Sequence, residues 1–325
     1  MFFDISELIG TQLFYFIVSS RGIGKTFSSL KYCLNNFLKN GDEAVYLRRL
    51  VVEKDNSSKI VNQLNEINSE IEYKNKGGII YADKSPFLYL YSLNDSKRSI
   101  PLNKVNTIIF DEFVPSNGIY LKREIPLFLN FYETVNRLRF ENETKVLFLG
   151  NNGGRYNLYT NYFNIELNNN SFKNKDIVYK LLPPNAEFVN ARKNTQFGRI
   201  IANTLDFKYM YENEDIRLNN EQVTGFPPNV KPLFNLNICG YDLGFYTTQN
   251  KIFVSTVLND KTKLTDDSES LRYYKKSIYY DYIRMAIDDK TIFFKDIKSQ
   301  EIFVNTFRLN WYLESGIEIL LIKGE

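Results

Sequence analysis

Ser19-Ser20-Arg21-Gly22-Ile23-Gly24-Lys25-Thr26 follows an apolar run from Leu13 to Val18. That run is short and rich in aromatic and β-branched residues, which is the composition of a buried strand. Downstream, Phe27, Leu30, Leu34, Phe37 and Leu38 recur at three- and four-residue intervals, so a helix with one apolar stripe is expected to end at Asn40-Gly41. Strand, glycine loop and helix together are the context of a phosphate-binding loop. Gly22 and Gly24 allow the backbone to curl until several N–H groups converge on phosphate oxygens, and the helix N-terminus adds partial positive charge. Ser20, Arg21, Gly22, Ile23, Gly24, Lys25 and Thr26 are therefore the candidate nucleotide-binding set. Lys25 would reach the β and γ phosphates, and the Thr26 hydroxyl would ligate Mg²⁺. Ser19 stands where the GxxxxGK[ST] pattern has its first glycine, a position that serves the turn and not the phosphate contact. The alternative is a glycine turn that happens to carry Lys-Thr.

A second apolar run, Val105 to Phe110, ends in the adjacent carboxylates Asp111 and Glu112. Ligands of a parallel sheet lie beyond the carboxyl ends of its strands, so Asp111 is expected beside Thr26 as a second metal ligand. Glu112 would polarise a water against the γ-phosphate. With the upstream loop, this pair implies ATP hydrolysis by the additional-strand, catalytic-glutamate branch of P-loop proteins. ATP and Mg²⁺ are the cofactors that follow.

The chain has 325 residues, 43% hydrophobic and 24% charged, enough for two domains of ordinary globular composition. It contains no histidine, which excludes Ser-His triads, Cys-His dyads and ordinary zinc sites. The chemistry must run on carboxylates, Lys, Arg and a metal ion. Cys33 and Cys239 lack metal-ligand spacing and read as small buried hydrophobes. No apolar run approaches the ~20 residues of a membrane span, and the N-terminus lacks the basic region of a secretory signal, so the protein is expected to stay in the cytosol. Residues 1–180 carry 23 Lys+Arg against 19 Asp+Glu, so any nucleic-acid surface is a local patch.

In chain order, Glu43 to Arg49 reads as a strand ending in an arginine pair that faces either the nucleotide, a neighbouring subunit or solvent. Ser57 to Glu72 has helical spacing, and Lys76-Gly77-Gly78 opens a hairpin of Ile79–Tyr81 and Phe87–Leu90. Lys122 and Arg123 lie in a loop at the active-site edge, where they would touch DNA phosphates or simply face solvent. Leu127 to Arg139 reads as a helix, and Lys145 to Leu149 as a core strand followed by Gly150-Asn151-Asn152. Asn151 would sense the γ-phosphate through the attacking water; otherwise it belongs to an Asn-Asn-Gly-Gly turn. Residues 164 to 176 are Asn- and Lys-rich, marking the periphery of a first domain, 1–180. Proline pairs bracket a linker or lid, 181–228, and a third segment, 229–325, reads as strands at Phe234–Leu243, Lys251–Leu258 and Ser277–Tyr282 with a helix at Gln300–Tyr312.

RGIGKT after a strand, TIIFDEF, ETVNRLR before the next core strand, and KNTQFGRII occur in the order and spacing of the DNA-packaging ATPases of small tailed bacteriophages with protein-primed genomes. The chain resembles that family over residues 10–205 and more weakly beyond. The resemblance implies an α/β fold: a P-loop NTPase domain, a small linker, and a C-terminal α+β domain similar to an RNase H-type nuclease that has lost its catalytic acids. It also implies a homopentameric ring on the portal (connector) of a procapsid, pumping double-stranded DNA by ATP hydrolysis in the host cytoplasm. A structural RNA is a partner in some members, and the protein is not expected in the mature virion. Arg137, in ETVNRLR, takes the place of the arginine finger given to a neighbour's ATP, with Arg139 as the alternate. Asp242, in GYDLG, looks like a nuclease metal ligand with Asp260, Asp281, Asp288 and Asp289 as candidate partners. Two further readings are a terminase-type protein with nuclease activity and a nucleotide-gated assembly protein without turnover.

Overall fold

The computed structural model describes residues 3–50, 57–94, 103–115, 120–137, 139, 142–151, 156–167, 170–204, 207–212, 224–238, 240–261, 263–265, 278–289, 291–296 and 298–303. Strand β1 (Phe14–Ser19) leads through the glycine loop into α1 (Lys25–Asn40), which Gly41 ends. Then come β2 (Glu43–Arg48), α2 (Ser57–Ile67), β3 (Tyr73–Lys76), β4 (Ile79–Ala82), β5 (Ser85–Ser92) and β6 (Val105–Asp111). Helix α3 (Glu124–Val135), β7 (Lys145–Asn151), α4 (Leu158–Tyr162), β8 (Ser171–Lys173) and β9 (Ile177–Leu181) follow. Among the described residues these strands form one sheet in the order β3-β4-β5-β2-β6-β7-β1-β9-β8. From β5 to β9 every neighbouring pair is parallel.

Alternation along the strands sends side chains to two different layers. Tyr15, Ile17, Ile109 and Leu147 join Leu30, Cys33 and Leu34 of α1 in one buried cluster. Phe14, Phe16, Phe110 and Phe148 face the other way, with Phe16 stacked on Phe148 at 4.2 Å and Phe128 of α3 at 5.1 Å from Phe148. Both faces are covered, which is why these strands are continuously apolar. Burial pushes the Cys33 thiol up to about 12, in keeping with a small hydrophobe; Cys239 lies outside the described residues.

Several local expectations are corrected. Tyr73–Lys76 is a strand, turned onto β4 by the Gly77-Gly78 corner. Helix α3 starts at Glu124, because Pro126 in a first turn costs no hydrogen bond, and ends at Val135. There Asn136 donates to Glu143 and accepts from the Thr144 amide. The Asn- and Lys-rich stretch 164–176 contains β8, the edge strand of the sheet, and leads into β9, the parallel neighbour of β1.

The chain forms two compact units. The first holds Met1–Val114, Arg123–Asn152 and Glu166–Asn213, and so takes in most of the expected linker, including α5 (Ala186–Lys193) and α6 (Gln196–Ile201). The second holds Pro115–Lys122, Gly153–Ile165 and Glu214–Glu325. It contains β10 (Lys231–Ile238), β11 (Tyr241–Thr248), β12 (Lys251–Ser255), β13 (Lys263–Thr265), α7 (Ile278–Asp288) and β14 (Ile292–Phe294), its sheet ordered β13-β10-β11-β12-β14. The expected single strand Phe234–Leu243 is instead a hairpin, broken where Gly240 adopts φ 81°. Of Ser277–Tyr282, expected as a strand, Ile278 to Tyr282 begin α7, whose buried face carries Ile283, Ala286 and Ile287 at helical spacing, and Ser277 lies outside the described residues. Residues 298–303 are helical, and the rest of the expected C-terminal helix lies outside the described residues.

Candidate functional site

Arg48, Asp111, Asn151 and Ser19 are the last residues of β2, β6, β7 and β1, four adjacent parallel strands. The sheet thus lines up a cation, a carboxylate, an amide and the mouth of the glycine loop along one edge. Ser19 lies opposite Asn151 in the β1–β7 register. Thr26, in the first turn of α1, donates from Oγ1 to Asp111 Oδ2 at 3.2 Å. The two residues expected to share a magnesium ion are therefore in contact.

Within the loop, Lys25 is buried and donates from Nζ to Ser19 Oγ at 2.6 Å, to the carbonyls of Ser19 and Ser20 at 3.3 and 3.1 Å, and to Asn151 Oδ1 at 3.4 Å. Burial pulls the Lys25 ammonium down to about 8, partly offset by the charge of Asp111. Ser19 thus does more than replace a turn glycine: its hydroxyl is an acceptor for the lysine. Ser20 is fully enclosed, and its Oγ has no hydrogen-bond partner among the described residues. A buried hydroxyl without a partner is costly, and a phosphate oxygen in the loop would satisfy it. Gly22 and Gly24 have φ of 86° and 83°, values that L side chains adopt with strain. A Cβ on Gly22 would also lie 2.0 Å from the Phe188 ring. Ile23 anchors the loop in the core, and the Arg21 amide donates to the Met210 carbonyl at 2.9 Å. The loop geometry, the enclosed hydroxyl and the lysine fit a triphosphate, with Thr26 and Asp111 as the groups that could hold its magnesium.

The acidic pair already has cationic and phenolic partners that sequence reasoning left open. Arg48 reaches Asp111 Oδ2 at 3.4 Å and Glu112 Oε2 at 3.1 Å, while Tyr46 donates to Asp111 Oδ2 at 2.5 Å. Burial, and then the Asp111 charge, keep the Tyr46 phenol protonated and a donor. Arg49 turns the other way: its guanidinium holds the Glu112 and Phe113 carbonyls at 3.0 and 2.6 Å and pairs with both oxygens of buried Glu124 at 2.8 and 2.9 Å. Glu112 itself sits at φ 57°, a left-handed conformation fixed between these arginines.

Arg137 and Arg139 separate clearly. Arg139 donates to the Val105 carbonyl, Asn106 Oδ1 and Thr144 Oγ1 at 2.6, 2.7 and 3.2 Å and to the Asn103 carbonyl, tying together the chain at the start of β6 and β7. Arg137 is exposed and has no hydrogen bond or ion pair among the described residues. Helix α3 starts beside the chain that follows Asp111 and spans 12 residues, about 18 Å, to end beside the start of β7, with Arg137 two residues past its last turn. Lys122 and Arg123 are exposed, Arg123 as the residue preceding α3, and residues 116–119 of their loop lie outside the described residues.

Among the described residues the C-terminal acids are not brought together. Asp242 accepts from Asn237 Nδ2 at 2.6 Å, Asp260, Asp281 and Asp289 are exposed, and the side chain of Asp288 lies outside the described residues. Among the described residues no three His, Cys, Asp or Glu side chains are grouped to hold a metal. No helix is long and apolar enough to cross a membrane, again among the described residues.

The family model for the podovirus DNA encapsidation protein (Gp16) matches residues 1–308. The DNA packaging protein of Bacillus phage PZA is 27% identical over 274 residues, covering 81% of each chain. That of Bacillus phage B103 is 29% identical over 263 residues, covering 78% of this chain and 80% of the relative. Among solved structures, the N-terminal domain of the DNA packaging ATPase from bacteriophage phi29 matches 56% of this chain and 96% of its own, at 26% identity and a TM-score of 0.52. The fold over 95% of this chain is also that of a chain in the bacteriophage Phi-29 viral genome packaging motor assembly, 99% of which is covered, with a TM-score of 0.67 and 23% identity.

Proposed function

The chain belongs to the podovirus DNA encapsidation protein (Gp16) family, and from that premise we propose that it is an ATP-driven motor that moves double-stranded viral DNA into a procapsid. The contact between Thr26 and Asp111, 3.2 Å across the carboxyl edge of the sheet, carries the reading. It brings the loop for the phosphates and the acids for the metal to one point. In this reading Ser20 to Thr26 hold the triphosphate, Thr26 and Asp111 hold magnesium, Glu112 orients the attacking water, and Asn151 reports the γ-phosphate to β7. Bound there, magnesium would neutralise charge on the phosphates.

Arg137 acts in trans, as an arginine finger on the ATP of a neighbouring subunit, and such a residue is worth ~10³-fold or more in rate. Its exposure and its lack of a partner among the described residues support that role, whereas Arg139 is engaged within its own chain. A ring, a pentamer by family resemblance, would seat on the procapsid portal in the host cytoplasm, with a structural RNA as a further partner. The C-terminal unit, RNase H-like by resemblance, would then serve assembly and not cleavage. Mixing Glu112→Gln with Arg137→Ala subunits tests the arrangement. Each variant alone should release phosphate from ATP at least ~10²-fold more slowly than wild type, and mixing should restore part of the rate, because some interfaces regain both groups. No recovery on mixing would refute the trans role, and normal turnover by each variant alone would refute the site.

A further inference from the structure

Next to the phosphate loop lies a cluster of rings and cations that the hydrolytic chemistry does not use. After β9 the chain passes Leu182, whose amide donates to the Val18 carbonyl at 2.8 Å, and enters α5. Helix α5 places the Phe188 ring against Gly22, where even a methyl group would collide with it. The Arg192 guanidinium lies over the Phe188 ring at 5.4 Å and over the Tyr211 ring at 5.9 Å, and the two rings are 6.1 Å apart. Tyr211 in turn packs on Phe207 at 4.9 Å, and the Met210 carbonyl beside it accepts from the Arg21 amide. The adjacent cation, Lys193, is satisfied by Glu212 at 2.5 Å. Arg192 has no carboxylate partner among the described residues; it is exposed, and Phe188 and Tyr211 are half-buried beneath it.

We infer that Arg192, supported by Phe188 and Tyr211, is the platform on which the purine base of a nucleoside triphosphate stacks. The sheet order fixes the direction. Asp111 and Glu112 lie on the β6 side of β1, and β9 lies on the other side. A triphosphate whose metal-bearing end faces the acids must point its nucleoside end toward β9, and the chain leaving β9 builds this cluster. A guanidinium with rings on one face offers its other face to a planar base, a contact that combines stacking and cation–π attraction. Gly198 holds the arrangement, since a Cβ there would lie 1.7 Å from the Arg192 carbonyl oxygen, so only glycine lets α6 close onto the end of α5.

This inference rests on the nucleotide-binding reading above, and its test separates the two. The affinities of the full chain for MgATP and for magnesium tripolyphosphate, which has phosphates and no base, are measured for wild type, Arg192→Ala, Phe188→Leu and Lys25→Ala. Arg192→Ala and Phe188→Leu should each weaken MgATP roughly 5- to 100-fold while leaving tripolyphosphate within about twofold. Unchanged tripolyphosphate binding also shows that the loop remains folded. If Arg192→Ala weakens both ligands equally, the arginine acts on phosphate and the base platform is wrong; if it weakens neither, the platform is likewise wrong. If the wild type binds neither ligand, or Lys25→Ala changes neither affinity, the nucleotide reading itself fails.

Discussion

At Gly22 two constraints coincide. Its backbone lies at φ 86°, and the Phe188 ring occupies the space a side chain would need. Gly22→Ala therefore has to distort the phosphate loop or push α5 away. Strain of this kind costs ~1–3 kcal/mol, so thermal unfolding should shift down by several degrees and MgATP affinity should fall with it. An unchanged melting temperature and unchanged affinity would show that the loop is not shaped as described. Much of the site was legible at this scale, because the chemistry demands particular residue types: a lysine and a hydroxyl after a glycine loop, an acid pair after an apolar strand. Arg48 and Tyr46 were less legible. Their partners depend on the register of β2 against β6, which brings together residues more than 60 positions apart, and no local pattern encodes that. The Ser19 acceptor was hidden for a different reason: a small residue at the first loop position looks like mere tolerance until the lysine is seen folded onto it.

Helix α3 is the element that joins the acids to the far edge of the sheet. It begins at Glu124, whose carboxylate is enclosed and paired with Arg49, and Arg49 also holds the carbonyls that follow Asp111. Breaking such a pair on one side leaves a buried charge, with a cost of ~3–5 kcal/mol, whereas replacing both partners by apolar groups of similar size costs far less. Arg49→Met and Glu124→Leu should each destabilise the fold by that amount in denaturant titrations, and the double variant should recover most of the loss. Additive losses in the double variant would mean that the two side chains act independently. The aromatic layer under α3 was readable as an apolar stripe, but its start was not, since a proline in a first turn is compatible with a helix and with a loop alike. The strand β9 was hidden by its neighbourhood of Asn and Lys, although Ile177, Val178 and Tyr179 carry an ordinary strand composition.

Across the molecule, the first unit was legible because parallel strands bury both faces and leave long apolar runs, whereas the second was read with the wrong punctuation. Cys239-Gly240 falls inside an apolar run that looks continuous, and Ser277–Tyr282 has strand-like aromatic content until Ile283, Ala286 and Ile287 are counted at helical intervals. In the resulting sheet Asp242 accepts from Asn237. The candidate site lies at the edge formed by Arg48, Asp111, Asn151 and Ser19, the last residues of four adjacent strands. The most direct measurement of that convergence uses Mn²⁺ in place of Mg²⁺ and records its phosphorus hyperfine coupling in the presence of ATP. The wild type should bind one Mn²⁺ coupled to nucleotide phosphorus, and Thr26→Val and Asp111→Asn should each weaken that metal about tenfold or more, because both donors share it. Equal Mn²⁺-ATP binding by wild type and both variants would contradict the account, since the loop after β1 and the acids after β6 would then not meet around one metal.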